Sequence, residues 1–223
     1  ACSEDDHILL ASKKGKAVRF PVNAVRVFRS RTSDGVRGMK LASGDKVISM
    51  TILHGIKASM EEREAYLTIP VEKRLEISKG NEEFTPEALG VSLSKEQIAD
   101  LAKGEEFILT ISENGLGKRS SAYHYRITNR GGSGIVNMVL SEKTGEVVAS
   151  MPANTNDEIM LITNNGKLIR CRLDAVRITG RSTSGVILFK TEKDEKVVSA
   201  SLIADSSEEE EVLDEDGGDN TVM

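Results

Sequence analysis

The chain has 223 residues, of which 39% are hydrophobic, 29% charged and 4% aromatic, with no tryptophan and a formal net charge of -5. This is enough apolar chain for a substantial core, but no run approaches the ~20 apolar residues of a membrane span, and the scarcity of aromatic rings argues against single-strand or carbohydrate sites built by stacking. Cys2 and Cys171 lie far apart and in no pairing motif, which fits a reducing cytoplasm.

No targeting segment precedes the first strand, and the abrupt opening at Ala1 leads us to expect a piece of a longer protein. From Asp6 the sequence DHILLASKKGKAVRF gives an apolar strand, a turn at Gly15 and a second strand with Lys16 and Arg19. Arg26 and Arg31 follow, then Gly35 and strand-like residues 36–41 and 46–53. Residues 1–57 therefore read as one unit of about four strands, the size of a propeller blade.

Residues 58–105 break this pattern. Ser59 with Glu62, and Ser94 with Gln97, have the spacing of capping boxes, and the second leads into Ile98, Leu101 and Ala102 before Gly104. We read a partly helical insertion, with residues 78–85 as loop; a decayed fourth repeat is the competing reading, without its glycine and arginine positions.

The pattern returns from Glu106 (EFILTISENGLGKRS) and again from Asp157, giving units at 106–155 and 156–204. Asn114-Gly115 and Asn165-Gly166 between apolar runs predict two-residue hairpin turns with positive φ at both central residues. Residues 135–140 and 146–151, then 186–189 and 196–203, complete four strands in each copy. Residues 205–223 hold nine acidic residues and no basic one, and read as a disordered acidic tail.

The three copies share a register. The first glycine (Gly15, Gly115, Gly166) is followed four residues later by Arg19, Arg119 and Arg170 and eleven later by Arg26, Arg126 and Arg177. A second glycine (Gly35, Gly134, Gly185) has Arg31, Arg130 and Arg181 four residues before it. Setting aside the tail and the insertion, which has 11 acidic and 6 basic residues, leaves 15 acidic and 24 basic residues in the repeats. The repeat body is thus cationic, the footprint of a polyanion binder. Each column could instead be solvated charge that protects sheet edges, but three columns repeated per blade would form a rim of regular positive charge.

No catalytic constellation accompanies this. His7, His54 and His124 stand singly, no phosphate-cradling glycine loop is present, and Asp5-Asp6 and Asp157-Glu158 sit at strand starts. We expect no catalytic site and no metal site on the chain.

The stretches RTSDGVRGMKLASGDKVISM, ENGLGKRSSAYHYRITNRGGSGIV and ITGRSTSGVILFKT resemble the C-terminal domain of bacterial DNA gyrase A, across all three repeats. The resemblance implies an all-β, six-bladed β-pinwheel whose neighbouring blades exchange strands, of which three blades are visible. It implies that duplex DNA wraps on a basic outer edge, supporting ATP-dependent negative supercoiling by a type IIA topoisomerase. The implied partners are DNA, the rest of gyrase A and gyrase B in an A2B2 holoenzyme, in the bacterial cytoplasm and associated with the nucleoid. ATP and Mg would belong to that holoenzyme and not to this chain. The family's box Gln-Arg-Arg-Gly-Gly-Lys-Gly is missing; its nearest echo runs from Asn129 to Gly134, with Ser133 in place of the lysine. The general rim role carries over to Lys16, Arg19, Arg26, Arg31, Lys118, Arg119, Arg126, Arg130, Lys167, Arg170, Arg177 and Arg181. Alternatives are the equivalent domain of topoisomerase IV and a propeller-type protein-interaction module.

Overall fold

The computed structural model describes residues 1–81 and 83–203; the acidic tail at 205–223 lies outside them. The described residues form three antiparallel sheets and a helical insertion. Strands β1 (His7–Ser12), β2 (Lys16–Pro21) and β3 (Val47–Leu53) come from the first copy. The second copy supplies β4 (Phe107–Ser112), β5 (Leu116–Ser121), the two-residue β6 (Ile135–Val136) and β7 (Val147–Pro152). The third supplies β8 (Glu158–Thr163), β9 (Leu168–Arg172), β10 (Val186–Ile187) and β11 (Val197–Ile203).

Four strands per sheet is right for the first two blades, and the fourth comes by the exchange between neighbouring blades that the family resemblance implied rather than from within each copy. The sheets run β3-β1-β2-β6, β10-β5-β4-β7 and β11-β8-β9, so three strands of each copy stay at home and the segment after the second glycine crosses to the preceding blade. β6 pairs with Lys16 and Ala17, and β10 with Leu116 and Gly117. The third sheet receives no fourth strand, and residues 36–41 of the first copy form none. Each sheet is thus buried on both faces where it has neighbours, and β4 and β5 are buried at every residue.

The hairpin turns also differ from expectation. Strand β4 ends at Ser112 and β5 starts at Leu116, and Gly115 has φ 74° while Asn114 stays at negative φ. Gly115 N–H donates to the Ser112 carbonyl at 3.1 Å. This is a three-residue loop ending in a left-handed glycine, in which only the glycine needs positive φ; Gly15 and Gly166 close their loops in the same way.

The insertion is four helices: α1 (Met60–Leu67), α2 (Val71–Ser78), α3 (Pro86–Leu89) and α4 (Lys95–Lys103). Both expected capping boxes form, with Ser59 and Ser94 each accepting from the N3 amide while Glu62 and Gln97 reach back. The helices bury Tyr66, Ile69, Ile77, Leu93, Ile98, Leu101 and Ala102 against Tyr123 of the second blade. The insertion therefore has its own core, seated on the junction of blades one and two. No helix among the described residues is long and apolar enough to cross a membrane.

Candidate functional site

The three arginine columns have different environments. In the first, Arg19 is 2% and Arg119 3% exposed. Arg19 Nη1 donates to the Ala122 carbonyl at 2.8 Å, and its Nη2 lies 3.0 Å from His7 Nδ1. Arg119 Nε donates to the Val176 carbonyl at 2.9 Å and Nη1 to Thr155 Oγ1 at 3.0 Å. Each guanidinium ties its own blade to the next, and burial depresses both, Arg19 to about 10. Among the described residues no other blade packs on Arg170, whose side chain is 63% exposed and pairs with Glu158. The expected rim position for Arg19 and Arg119 is therefore corrected, because a buried guanidinium bonded to carbonyls cannot meet a phosphate.

The third column stitches backwards. Arg130 Nε donates to the Ala24 carbonyl at 3.0 Å and Nη1 to that of Arg37 at 3.2 Å. Arg181 makes the equivalent pair, to His124 at 3.2 Å and Val136 at 2.9 Å. Arg31 is exposed among the described residues. Arg130 is exposed and Arg181 half-buried, so they retain a face to solvent while holding the junction.

The middle column differs from both. Arg26, Arg126 and Arg177 are all exposed, and none makes an ion pair among the described residues. Arg26 lies over the Phe28 ring, 4.5 Å from its centroid. Arg126 borders a groove of about 420 Å³ with Thr128, Asn129, Gly132, Ser133 and Gly134, the loop that echoes the family box.

The lysines divide in the same way. Lys16 is exposed. Lys167 Nζ meets Glu192 Oε1 at 2.7 Å and Glu195 Oε2 at 3.3 Å, and these carboxylates raise it. Lys118 is fully buried and occupies the register of Val18 and Ile169, not of Lys16. Its Nζ donates to the carbonyls of Gly180, at 3.1 Å, and Arg181, and burial beside the Arg181 guanidinium pushes it down to about 7. Its expected rim role is corrected for the same reason as Arg19. The sequence held a signal for this: Arg19 is flanked by Val18 and Phe20, and the Lys118-Arg119 pair by Gly117 and two serines that leave room for a neighbour.

His7 is buried against Arg19, and His54 Nδ1 meets Glu106 at 3.1 Å. Among the described residues no three His, Cys, Asp or Glu side chains gather as metal ligands.

Comparison with known proteins gives a family. The model of the DNA gyrase C-terminal domain, a β-propeller, matches residues 6–54, 106–154 and 157–204. The chain is 65% identical over 223 residues to DNA gyrase A of Rickettsia prowazekii (strain Madrid E), covering 99% of the chain and 24% of that protein. It is 44% identical over 231 residues to DNA gyrase A of Granulibacter bethesdensis, covering 98% and 24% respectively. The chain thus spans about a quarter of the length of these relatives. Among solved structures, a DNA gyrase A C-terminal domain aligns with TM-score 0.63 at 22% identity, over 91% of this chain and 52% of that one. The C-terminal domain of DNA topoisomerase IV aligns with TM-score 0.61 at 17% identity, over 89% and 46%; that likeness is one of fold.

Proposed function

The chain belongs to the DNA gyrase C-terminal domain family of β-propellers, and from that premise we propose that it binds and bends duplex DNA along the middle arginine column. The observation that carries this reading is that Arg26, Arg126 and Arg177 occupy one register position in three successive blades, all exposed and without an acidic partner among the described residues. The other two columns hold the blades at a fixed spacing, so the exposed charges form an ordered row. Lys16 and the solvent faces of Arg31 and Arg130 add to it.

Arginines placed in this way would replace the counterions condensed on the phosphate backbone, and a row that follows the blades would oblige the duplex to curve. Bending a 20–30 base-pair site by 40–90° costs roughly 1–6 kcal/mol, which distributed contacts on several blades can offset. Nothing in the blades resembles a recognition helix, so discrimination would rest on how easily the DNA bends.

In the same proposal the chain is a non-catalytic part of gyrase A, working in the bacterial cytoplasm on nucleoid DNA. The rest of gyrase A, together with gyrase B, supplies strand passage, ATP and Mg in an A2B2 assembly. The chain's own residues bind and orient the duplex; ATP hydrolysis elsewhere supplies the energy for negative supercoiling.

The test is duplex binding as a function of salt. With about six phosphates contacted, log affinity should fall against log salt with a slope near -5. Replacing Arg26, Arg126 and Arg177 by alanine should flatten that slope by about three and leave the melting temperature unchanged. An unaltered slope in the triple variant would falsify the middle-column reading.

A further inference from the structure

The two blade junctions share one backbone pattern where the hairpins turn. Lys13 N–H donates to the Lys46 carbonyl and Glu113 N–H to that of Glu146, so residues 13 and 113 hold equivalent places in their blades. Across the first junction Val147 N–H donates to the Lys13 carbonyl at 2.9 Å; across the second, Val197 N–H donates to the Glu113 carbonyl at 2.7 Å. Residues 146 and 196, which precede those donors, therefore stand against 13 and 113 in the same way. None of these bonds uses a side chain, so the backbone by itself does not distinguish one neighbour from another.

The side chains do, because their signs are inverted between the two junctions. At the first, Lys13 Nζ lies 2.7 Å from Glu146 Oε2; at the second, Lys196 Nζ lies 3.0 Å from Glu113 Oε2. The turn is thus cationic in blade one and anionic in blade two, and the strand start that meets it is anionic in blade two and cationic in blade three. Lys13 also reaches Glu113 Oε1 at 3.5 Å, so Glu146, Lys13, Glu113 and Lys196 make one run of alternating charge across three blades. The side chain of Glu113 is 14% exposed, and although burial would raise its carboxyl, Lys196 outweighs that and holds it below the ordinary value. Glu146 raises Lys13 in turn.

We propose that this inversion selects the order in which the blades dock. Blade three set against blade one would bring Lys196 onto Lys13, and the middle blades of two copies set together would bring Glu146 onto Glu113. Only the native order puts opposite charges at every contact. Discrimination between similar partners is a difference of two free energies, and like charges brought together count against the wrong one. Misdocking between similar units is a characteristic failure of repeat proteins. Here it would also scramble the middle column, since Arg26, Arg126 and Arg177 lie one to a blade.

The experiment is refolding of the 223-residue chain from urea, without DNA, reading by size exclusion the fraction recovered as the wild-type species; its outcome is independent of the DNA-binding proposal. Glu146→Lys with Lys196→Glu sets two amines together at the first junction and two carboxylates at the second, with the net charge still -5. That fraction should fall at least ~5-fold, the remainder eluting as larger misdocked species. Adding Lys13→Glu and Glu113→Lys restores opposite signs throughout at the same net charge, and should return the fraction to within about 2-fold of the wild type. Glu146→Gln with Lys196→Gln removes the discrimination without adding repulsion. It should give an intermediate fraction at an unchanged melting temperature, because exposed ion pairs add little stability. A sign-exchanged variant that refolds as the wild type does, a fourfold variant no better than it, or fractions that merely follow the melting temperature would overturn the proposal.

Discussion

At the residue scale, what separates a structural cation from a functional one here is what its hydrogen atoms face. Arg19, Arg119 and Lys118 point at carbonyl oxygens of the next blade, and their charge serves to satisfy backbone that the junction has taken out of water. Lys118 gives a pH prediction. Its amine is depressed to about 7 in the fold, against an ordinary value of 10.5. Between those values the unfolded chain binds a proton that the folded chain does not, so this group makes stability rise as pH increases through that window. Below about 7 and above about 10.5 its contribution is flat. The slope should approach about 1.4 kcal/mol per pH unit. Urea unfolding between pH 7 and 10 should show it for the wild type and lose it in Lys118→Met; the same slope in both proteins would remove Lys118 as its source.

At the element scale, the helices of the insertion are tied to one another by a buried charge cluster. Arg74 and Glu105 form an ion pair with side chains 5% and 3% exposed; Tyr66 donates to the same carboxylate at 2.9 Å, and Arg74 Nε donates to the Ile69 carbonyl at 3.1 Å. Removing one member of such a pair leaves a buried charge and costs about 3–5 kcal/mol. Arg74→Ala should therefore loosen α1, α2 and α4 while the sheets persist. Hydrogen exchange would show protection lost over residues 60–103 and kept in β4 and β5. Uniform loss of protection would mean that insertion and blades unfold together. This unit was legible in the sequence because capping boxes and an apolar helix face are local signals. The destination of the strand after each second glycine was legible only through the family resemblance and not from the residues themselves, because β6 and β10 are ordinary apolar dipeptides and only the neighbouring blade gives them partners.

At the scale of the whole molecule, charge is segregated. Burial of Arg63 and Arg74 removes two of the insertion's six basic residues from its surface, so that unit is more acidic outside than its sequence count says, and the basic row lies on the blades. The acidic tail at 205–223 could compete with DNA for that row, since opposite charges attract over a Debye length of ~10 Å at 0.1 M salt. Truncation after Ala204 takes the net charge from -5 to +4 by removing nine acidic residues. The expected result is tighter duplex binding, most of all at low ionic strength; equal affinities of the two forms at 50 and 200 mM salt would assign the tail no competing role.

The sequence by itself determined the repeat, the family, the helical insertion and the positions of the charged columns, because periodicity, caps and turn glycines are properties of neighbouring residues. Only the tertiary structure decided which column faces solvent. A residue's exposure depends on what packs against its blade, and the arginine of this register is buried against the next blade at 19 and 119 but open among the described residues at 170.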